Sequence, residues 1–256
     1  MRALGGRVPA ATVAESVLEL PGLEREEALL LVSELIKDDW RLRVDDGTGE
    51  VALACEDDDL RPLAETDYVV FDLETTGPKT PPGRLLELGA CRISDGRITA
   101  EFQTLVNPHA SIPPFISRLT GITESMVRSA PPFAEVAPAW LDFAGSAVLV
   151  AHDAPFDVRF INHELSLVYP GTCMANADLC TFSLSRRLFP ELGFYRLHAL
   201  AEHFDVQLPS HHRAGSDARA TAEIFIHLLS HLDRRGIRDL ASARKFRART
   251  KKAGAV

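Results

Sequence analysis

The rhythm of apolar and polar positions changes near residue 67. Upstream, over residues 11–37, apolar side chains recur at spacings of three and four: Val13, Val17 and Leu20, then Leu29, Leu30, Val32, Leu35 and Ile36. That period predicts two helices, and Pro21-Gly22 separates them. Past Trp40 the pattern alternates. Leu42 and Val44 lie before Asp46-Gly47, and Val51 and Leu53 lie after it. Alternation around an Asp-Gly pair predicts a β-hairpin. Two helices and a hairpin outline a small α+β, winged-helix-like module over residues 1–55. The run Glu56 to Asp59 and the following Arg61-Pro62 read as an acidic linker, residues 56–66.

From Asp67 onward the pattern is that of a larger α/β domain, residues 67–233. Tyr68–Leu73, Leu85–Ile93 and Ile98–Val106 are strand candidates, the last two joined by Ser94-Asp95-Gly96-Arg97. They predict a three-strand meander. A helical region over Pro113–Gly145 follows, then a compact buried strand, Ala147–Ala151. The remainder reads as mostly helical, ending in a strong helix capped by Ser216 and running to about Leu232. This order predicts a mixed sheet covered by helices.

Composition adds bounds. At 256 residues, 46% hydrophobic and 25% charged, the chain has room for one mid-sized domain and a small one, and it is too apolar to be largely disordered. Enzymes and binding modules both fit those values. The net charge of -8 is unevenly placed. Residues 1–66 hold 7 Lys+Arg against 16 Asp+Glu, a net of -9. Winged-helix shapes suggest DNA binding, but such acidity opposes phosphate contact, so a protein-contact or packing role is expected for the module. Residues 234–256 form a basic tail with Arg234, Arg235, Arg238, Arg244, Lys245, Arg247, Arg249, Lys251 and Lys252. It reads first as a solvated, frayed terminus, and second as a phosphate contact. The four cysteines are scattered with no Cys-x-x-Cys pair, so a disulfide framework is not expected. Met1–Glu15 lacks the continuous apolar core of a signal peptide, and no apolar stretch approaches the roughly 20 residues that span a bilayer. A cytoplasmic protein without membrane contact is expected.

Three segments carry candidate chemistry. In Phe71-Asp72-Leu73-Glu74-Thr75-Thr76-Gly77, Asp72 and Glu74 are two apart at a strand end. Strand geometry puts both carboxylates on one side, about 6.5–7 Å apart along the backbone, with Val69, Phe71 and Leu73 facing a core. In Ala151-His152-Asp153-Ala154-Pro155-Phe156-Asp157, a strand gives way to a helix opening at Pro155, with Asp153 as its cap and Asp157 in the first turn. In His211-His212-Arg213-Ala214-Gly215-Ser216-Asp217, the aspartate opens a helix on its apolar face, in line with Thr221, Ile224 and Leu228. An acid there is costly unless paired or bound to metal. Singly, each segment has a bland reading: two solvated acids at a strand end, an acid at a helix N-terminus where acids are favoured, and a structural histidine near an aspartate. Together, Asp72, Glu74, Asp157 and Asp217 offer four oxygen ligands with no Cys/His cluster, which favours Mg²⁺ or Mn²⁺ over Zn²⁺. Two such ions can clamp the attacking and leaving oxygens of a phosphoryl displacement, and His212 can take a proton from the attacking water.

These motifs resemble the DEDDh, or DnaQ-like, 3′–5′ exonucleases, a family that includes the proofreading epsilon subunit of bacterial DNA polymerase III. The three motifs stand in the family's order, with histidine five residues before the last aspartate. Leu86-Glu87-Leu88-Gly89-Ala90, Asn107-Pro108, Leu119-Thr120-Gly121-Ile122-Thr123 and Leu197-His198-Ala199-Leu200 are also similar, so the likeness spans about Asp67–Leu232. It implies an RNase H-like fold with a five-stranded mixed sheet. It further implies two divalent cations held by Asp72, Glu74, Asp157 and Asp217, with His212 as general base. Thr75, Thr76, Gly77 and Phe156 would contact the terminal nucleotide, and the product would be a nucleoside 5′-monophosphate. Asp153 departs from the family, where asparagine is common. A charge there would repel substrate phosphate if it pointed inward.

The expected function is therefore removal of nucleotides from single-stranded or frayed DNA 3′ ends, in proofreading or repair, with a DNA polymerase or repair complex as partner. An exoribonuclease or oligoribonuclease of the same fold stands as the alternative, because nothing here separates ribose from deoxyribose. An inactive binding module is the third reading.

Overall fold

The computed structural model describes residues 7–37, 42–45, 47–53, 60–209 and 212–246. Trp40, Asp46, Cys55, the acidic run Glu56–Asp59, His211 and the tail residues Arg247, Arg249, Lys251 and Lys252 lie outside them. The chain divides into two compact units, Met1–Asp59 and Leu60–Val256.

The first unit runs β1 (Arg7–Pro9), α1 (Ala10–Val17), α2 (Arg25–Ile36), β2 (Leu42–Asp45) and β3 (Glu50–Leu53). Its antiparallel sheet has the order β1-β3-β2. The two helices and the hairpin stand where the pattern predicts. Asp45 closes the turn by accepting from the backbone N–H groups of Gly47 and Thr48, each at 3.0 Å. β1 was not foreseen, since three residues are too few to show a period. The core joins Ala10, Ala14, Ala28, Val32, Ile36 and Val51. Leu30 is 75% exposed, so the helices meet through small residues rather than through the full leucine stripe.

The second unit contains β4 (Tyr68–Thr75), β5 (Leu85–Ser94), β6 (Arg97–Leu105), β7 (Val148–Ala151) and β8 (Asp178–Cys180). The sheet order is β6-β5-β4-β7-β8. The first three strands pair antiparallel, while β7 lies parallel to β4 and β8 parallel to β7. This is the five-stranded mixed sheet that the family likeness implies. Periodicity alone missed β8, which has three residues. Helices α3 (Pro114–Thr120), α4 (Glu124–Arg128), α5 (Phe133–Ala144), α6 (Ala154–Val168), α7 (Thr181–Leu188), α8 (Leu197–Phe204), α9 (Ala214–Arg234) and α10 (Leu240–Lys245) complete the unit.

Two cores flank the sheet, and β4 feeds both. Val69, Phe71 and Leu73 join Trp140 and Phe160 on one face. Tyr68 and Val70 join Phe225 and Leu228 of α9 on the other. A strand covered on both sides reads as a continuous apolar run, as Tyr68–Leu73 does until Asp72 interrupts it. Residues 60–66 pack into this unit: Leu63 is buried, and its N–H donates to the Arg238 carbonyl at 2.8 Å. Residues 240–246 do the same rather than fray. Leu240 and Ala243 are buried, and the Arg187 guanidinium donates to the carbonyls of Arg244 and Phe246.

Candidate active site

Strand β4 carries Asp72 and Glu74 on its α9-facing side, opposite Gly89 and Glu87 of β5. The pairing register shifts between Glu74 and Thr75, a bulge that re-aims the chain just after the acid pair. Because β7 runs parallel to β4, their carboxyl ends lie side by side, the usual place for a site in such sheets. The chain leaving β7 turns at Asp153, whose carbonyl accepts from the N–H groups of Phe156 and Asp157 at 2.8 and 3.2 Å. Its side chain makes no capping bond. Asp157 thus sits in the first turn of α6, 4% exposed.

The third segment is delivered by a backbone contact. A Cβ on Gly89 would stand 2.3 Å from backbone atoms of Ala214 and Gly215, so only glycine lets the start of α9 press onto β5 beside Asp72. Glu87, 1% exposed, then holds that helix start. Its carboxylate accepts from Arg213 Nε and Nη2 at 3.0 and 2.9 Å, from the Ala214 N–H at 3.1 Å and from Gln103 Nε2 at 2.8 Å. Burial alone would raise the Glu87 pKa, but these donors outweigh it and hold the group below the ordinary range. The helix opens at Ala214, with Arg213 rather than Ser216 in the capping position. Asp217 lies inside its first turn, 4% exposed. It accepts from the His212 N–H at 2.9 Å, across a residue held at φ 62°.

The structure therefore brings all five sequence-predicted groups to one place, though not equivalently. Ligand atoms of Glu74, His212 and Asp217 lie within 4.8 Å of one another. Asp72 and Asp157 join through the field they share. Burial, then Asp157, Asp217 and Glu74, push the Asp72 carboxyl well above its ordinary pKa. Burial, then Asp153 and Glu74, do the same to Asp157. Glu74 is pushed up to about 8 by burial first, and by Asp217 and Glu87 next. Buried carboxylates that repel one another this strongly are neutralised by protons or by a bound cation. Arg213 is already engaged by Glu87. Four oxygen ligands and an imidazole with an unmet need for positive charge suit a divalent ion.

A cavity of about 810 Å³ opens over this cluster, lined by Asp72, Glu74, His212 and Asp217. Thr75, Gly77 and Phe156 also line it, as the likeness implies. Thr76 and Asp157 do not. Thr76 Oγ1 accepts from the Arg84 N–H at 2.9 Å. Asp153 also lines the cavity, so an acid stands at this unusual position on its wall.

Several wall residues escaped the sequence reading. Among them are Phe115 of α3, Phe182 and Arg196, while Leu119 and His198 stand in family-like segments to which no site role was given. The signal for Glu87 was present: one acid inside the strand Leu85–Leu88, whose other residues are all buried, must have partners. His152 also belongs to the wall. Its Nδ1 is 3.0 Å from Thr181 Oγ1, and burial lowers its pKa to about 4, so the ring is neutral near pH 7.

The mixed sheet, the acid cluster and the cavity over it match what the exonuclease likeness implies. The exonuclease family model (RNase_T) matches residues 69–225, and the chain belongs to that family. Among its relatives, the DNA polymerase III PolC-type protein of Caldanaerobacter subterraneus subsp. tengcongensis is 48% identical over 69% of this chain and 12% of its own length. The DNA polymerase III subunit epsilon of Aquifex aeolicus is 41% identical over 66% of this chain and 84% of its own. This chain thus spans about an eighth of the PolC-type relatives. Among solved structures, exonuclease X in complex with 5′ overhanging duplex DNA is 31% identical, at a TM-score of 0.54 over 64% of this chain and 91% of that one.

Proposed function

We propose that the second unit shortens single-stranded or frayed DNA from its 3′ end, releasing nucleoside 5′-monophosphates, in proofreading or repair beside a DNA polymerase. The single observation that carries this is the convergence of Glu74, His212 and Asp217 within 4.8 Å, with Asp72 and Asp157 in the same field. Relatives named as DNA polymerase III proteins and a neighbour solved with DNA favour DNA over RNA.

In this reading Asp72, Glu74, Asp157 and Asp217 hold two Mg²⁺ or Mn²⁺ ions. Bound there, the cations would offset charge on the attacking and leaving oxygens. His212 takes the proton from a water that attacks the terminal phosphorus. The bond from phosphorus to the 3′ oxygen of the penultimate nucleotide breaks, and that oxygen leaves as a hydroxyl after protonation. Thr75, Gly77 and Phe156 orient the terminal nucleotide, and Thr76 fixes the loop through Arg84. Residues 60–246 would form the catalytic unit, with the N-terminal module as a protein-contact or packing element. No described helix is long and apolar enough to cross a membrane.

The test runs 5′-labelled DNA and RNA oligonucleotides side by side with Mg²⁺ or Mn²⁺. The expected result is a stepwise ladder on DNA that stops with chelator and with Asp72→Ala. Equal or greater rates on RNA would assign an exoribonuclease. A ladder unchanged by Asp72→Ala would remove the acid cluster as its source.

A further inference from the structure

The α7–α8 side of the cavity differs from the acidic floor. Phe182 lines it, and the Arg186 guanidinium lies 5.6 Å from that ring's centroid. Phe182 is braced edge-on by His152 at 5.9 Å and by Tyr195 at 6.2 Å between centroids. Beside Tyr195, Phe194 is 77% exposed, the most exposed large apolar side chain described. Arg196 follows, exposed, and lines the cavity. Neither Arg186 nor Arg196 has an ion-pair partner among the described residues. Aromatic faces alternating with unpaired guanidinium groups form the surface that single strands occupy: bases stack on the rings, and phosphates meet the cations.

The physical need is specific. Residues 67–256 carry 21 Lys+Arg against 20 Asp+Glu, a net of only +1, and Asp72, Glu74, Asp153 and Asp217 line the cavity, so no broad positive field draws in a polyanion. A cavity of about 810 Å³ leaves space beyond one terminal nucleotide. Upstream phosphates then need local cations where the strand leaves the acid cluster. Building on the exonuclease reading above, we propose that the nucleotides upstream of the scissile bond run across the α7–α8 face, with Phe182 and Phe194 as base platforms and Arg186 and Arg196 as phosphate contacts. The face makes the preferred substrate a single strand of several nucleotides rather than a dinucleotide.

The test uses the full chain with Mn²⁺, a mononucleotide ester (thymidine 5′-p-nitrophenyl phosphate) and oligodeoxynucleotides of two to eight residues. For the wild type, KM should fall as length grows. Phe194→Ala and Arg186→Ala, both outside the cavity wall, should leave ester hydrolysis unchanged and raise KM about tenfold on the longer strands, the scale of one lost base stack. Arg186→Ala should also reduce the slope of log KM against log salt by about 0.7, one phosphate contact on a single strand. Length dependence equal to wild type in both variants would overturn the track. So would a wild-type KM that does not change with length. Failure of the wild type to cleave even the ester would instead overturn the exonuclease reading beneath it.

Discussion

In the first unit Ala28 is fully buried while Leu30, two residues on, is 75% exposed. In the second, Glu87 is 1% exposed and Asp157 and Asp217 are 4% exposed, while apolar Phe115 and Leu119 stand 53% and 48% exposed beside the cavity. Each unit departs from the simple rule that large apolar groups go inside and charges outside, but for different reasons. The small unit has two short helices on a three-stranded sheet, and close approach selects alanine at the contact. Alanine burial contributes little per residue, about 0.8 kcal/mol per methylene-sized group, so this unit rests on modest margins. The large unit has two cores, one on each sheet face, and can afford to bury charges that repel one another. Departures of the second kind mark function; those of the first mark packing.

The largest effect should come from Asp72→Asn. It removes the proposed metal ligand and one of the mutually repelling carboxyl groups at once. Turnover should fall at least about 10³-fold, roughly 4 kcal/mol, while the midpoint of unfolding in chelator rises. Oligonucleotide hydrolysis rates check the first and thermal melts in chelator the second; a lower midpoint in chelator would contradict stored repulsion in this cluster. Next comes Glu87→Ala, which strips three hydrogen bonds from the start of α9 and one from Gln103 of β6. It should cost about 2–4 kcal/mol in denaturant melts and weaken Mn²⁺ binding measured by calorimetry. Unchanged metal affinity in folded protein would show that Glu87 serves stability alone.

A pH effect on the order of 3 kcal/mol follows from His152, whose pKa near 4 in the folded state compares with 6.5 unfolded. Between those values the unfolded chain binds more protons. The contribution is therefore complete above about pH 6.5 and is lost as pH falls toward 4. Denaturant melts in chelator should show a slope over that window that His152→Asn reduces; equal slopes would rule the residue out as the source. The smallest effects lie in the first unit. Ala28→Leu should destabilise it by about 1–3 kcal/mol through overpacking, whereas Leu30→Ser should change stability by less than about 0.5 kcal/mol. A larger loss for Leu30→Ser, measured by differential scanning calorimetry, would mean that this leucine is covered in solution.

Much of this molecule is legible from residue order. The meander, the buried strand Val148–Ala151 and the long helix α9 follow from period and turn chemistry, because each is long enough, or apolar enough, to repeat its signal. So are the acid motifs, since carboxylates at a strand end or on an apolar helix face are conspicuous. Short elements such as β1 and β8 leave no period to read. Ser216 offered a plausible cap, but the grip of Glu87 on Arg213 and Ala214 starts the helix two residues earlier than Ser216, which no local rule contains.

By itself the sequence determined the chemical repertoire: which acids, which imidazole, and the mixed sheet that would carry them. Only the tertiary structure decided their arrangement. The contact of Gly89 with the α9 backbone sets where Asp217 stands relative to Asp72 and Glu74. Partners some 126 residues apart, such as Glu87 and Arg213, enforce it. The physical reason is that propensity and period act within a few residues, whereas burial of charge and close backbone approach are settled between segments that meet only when the chain has folded.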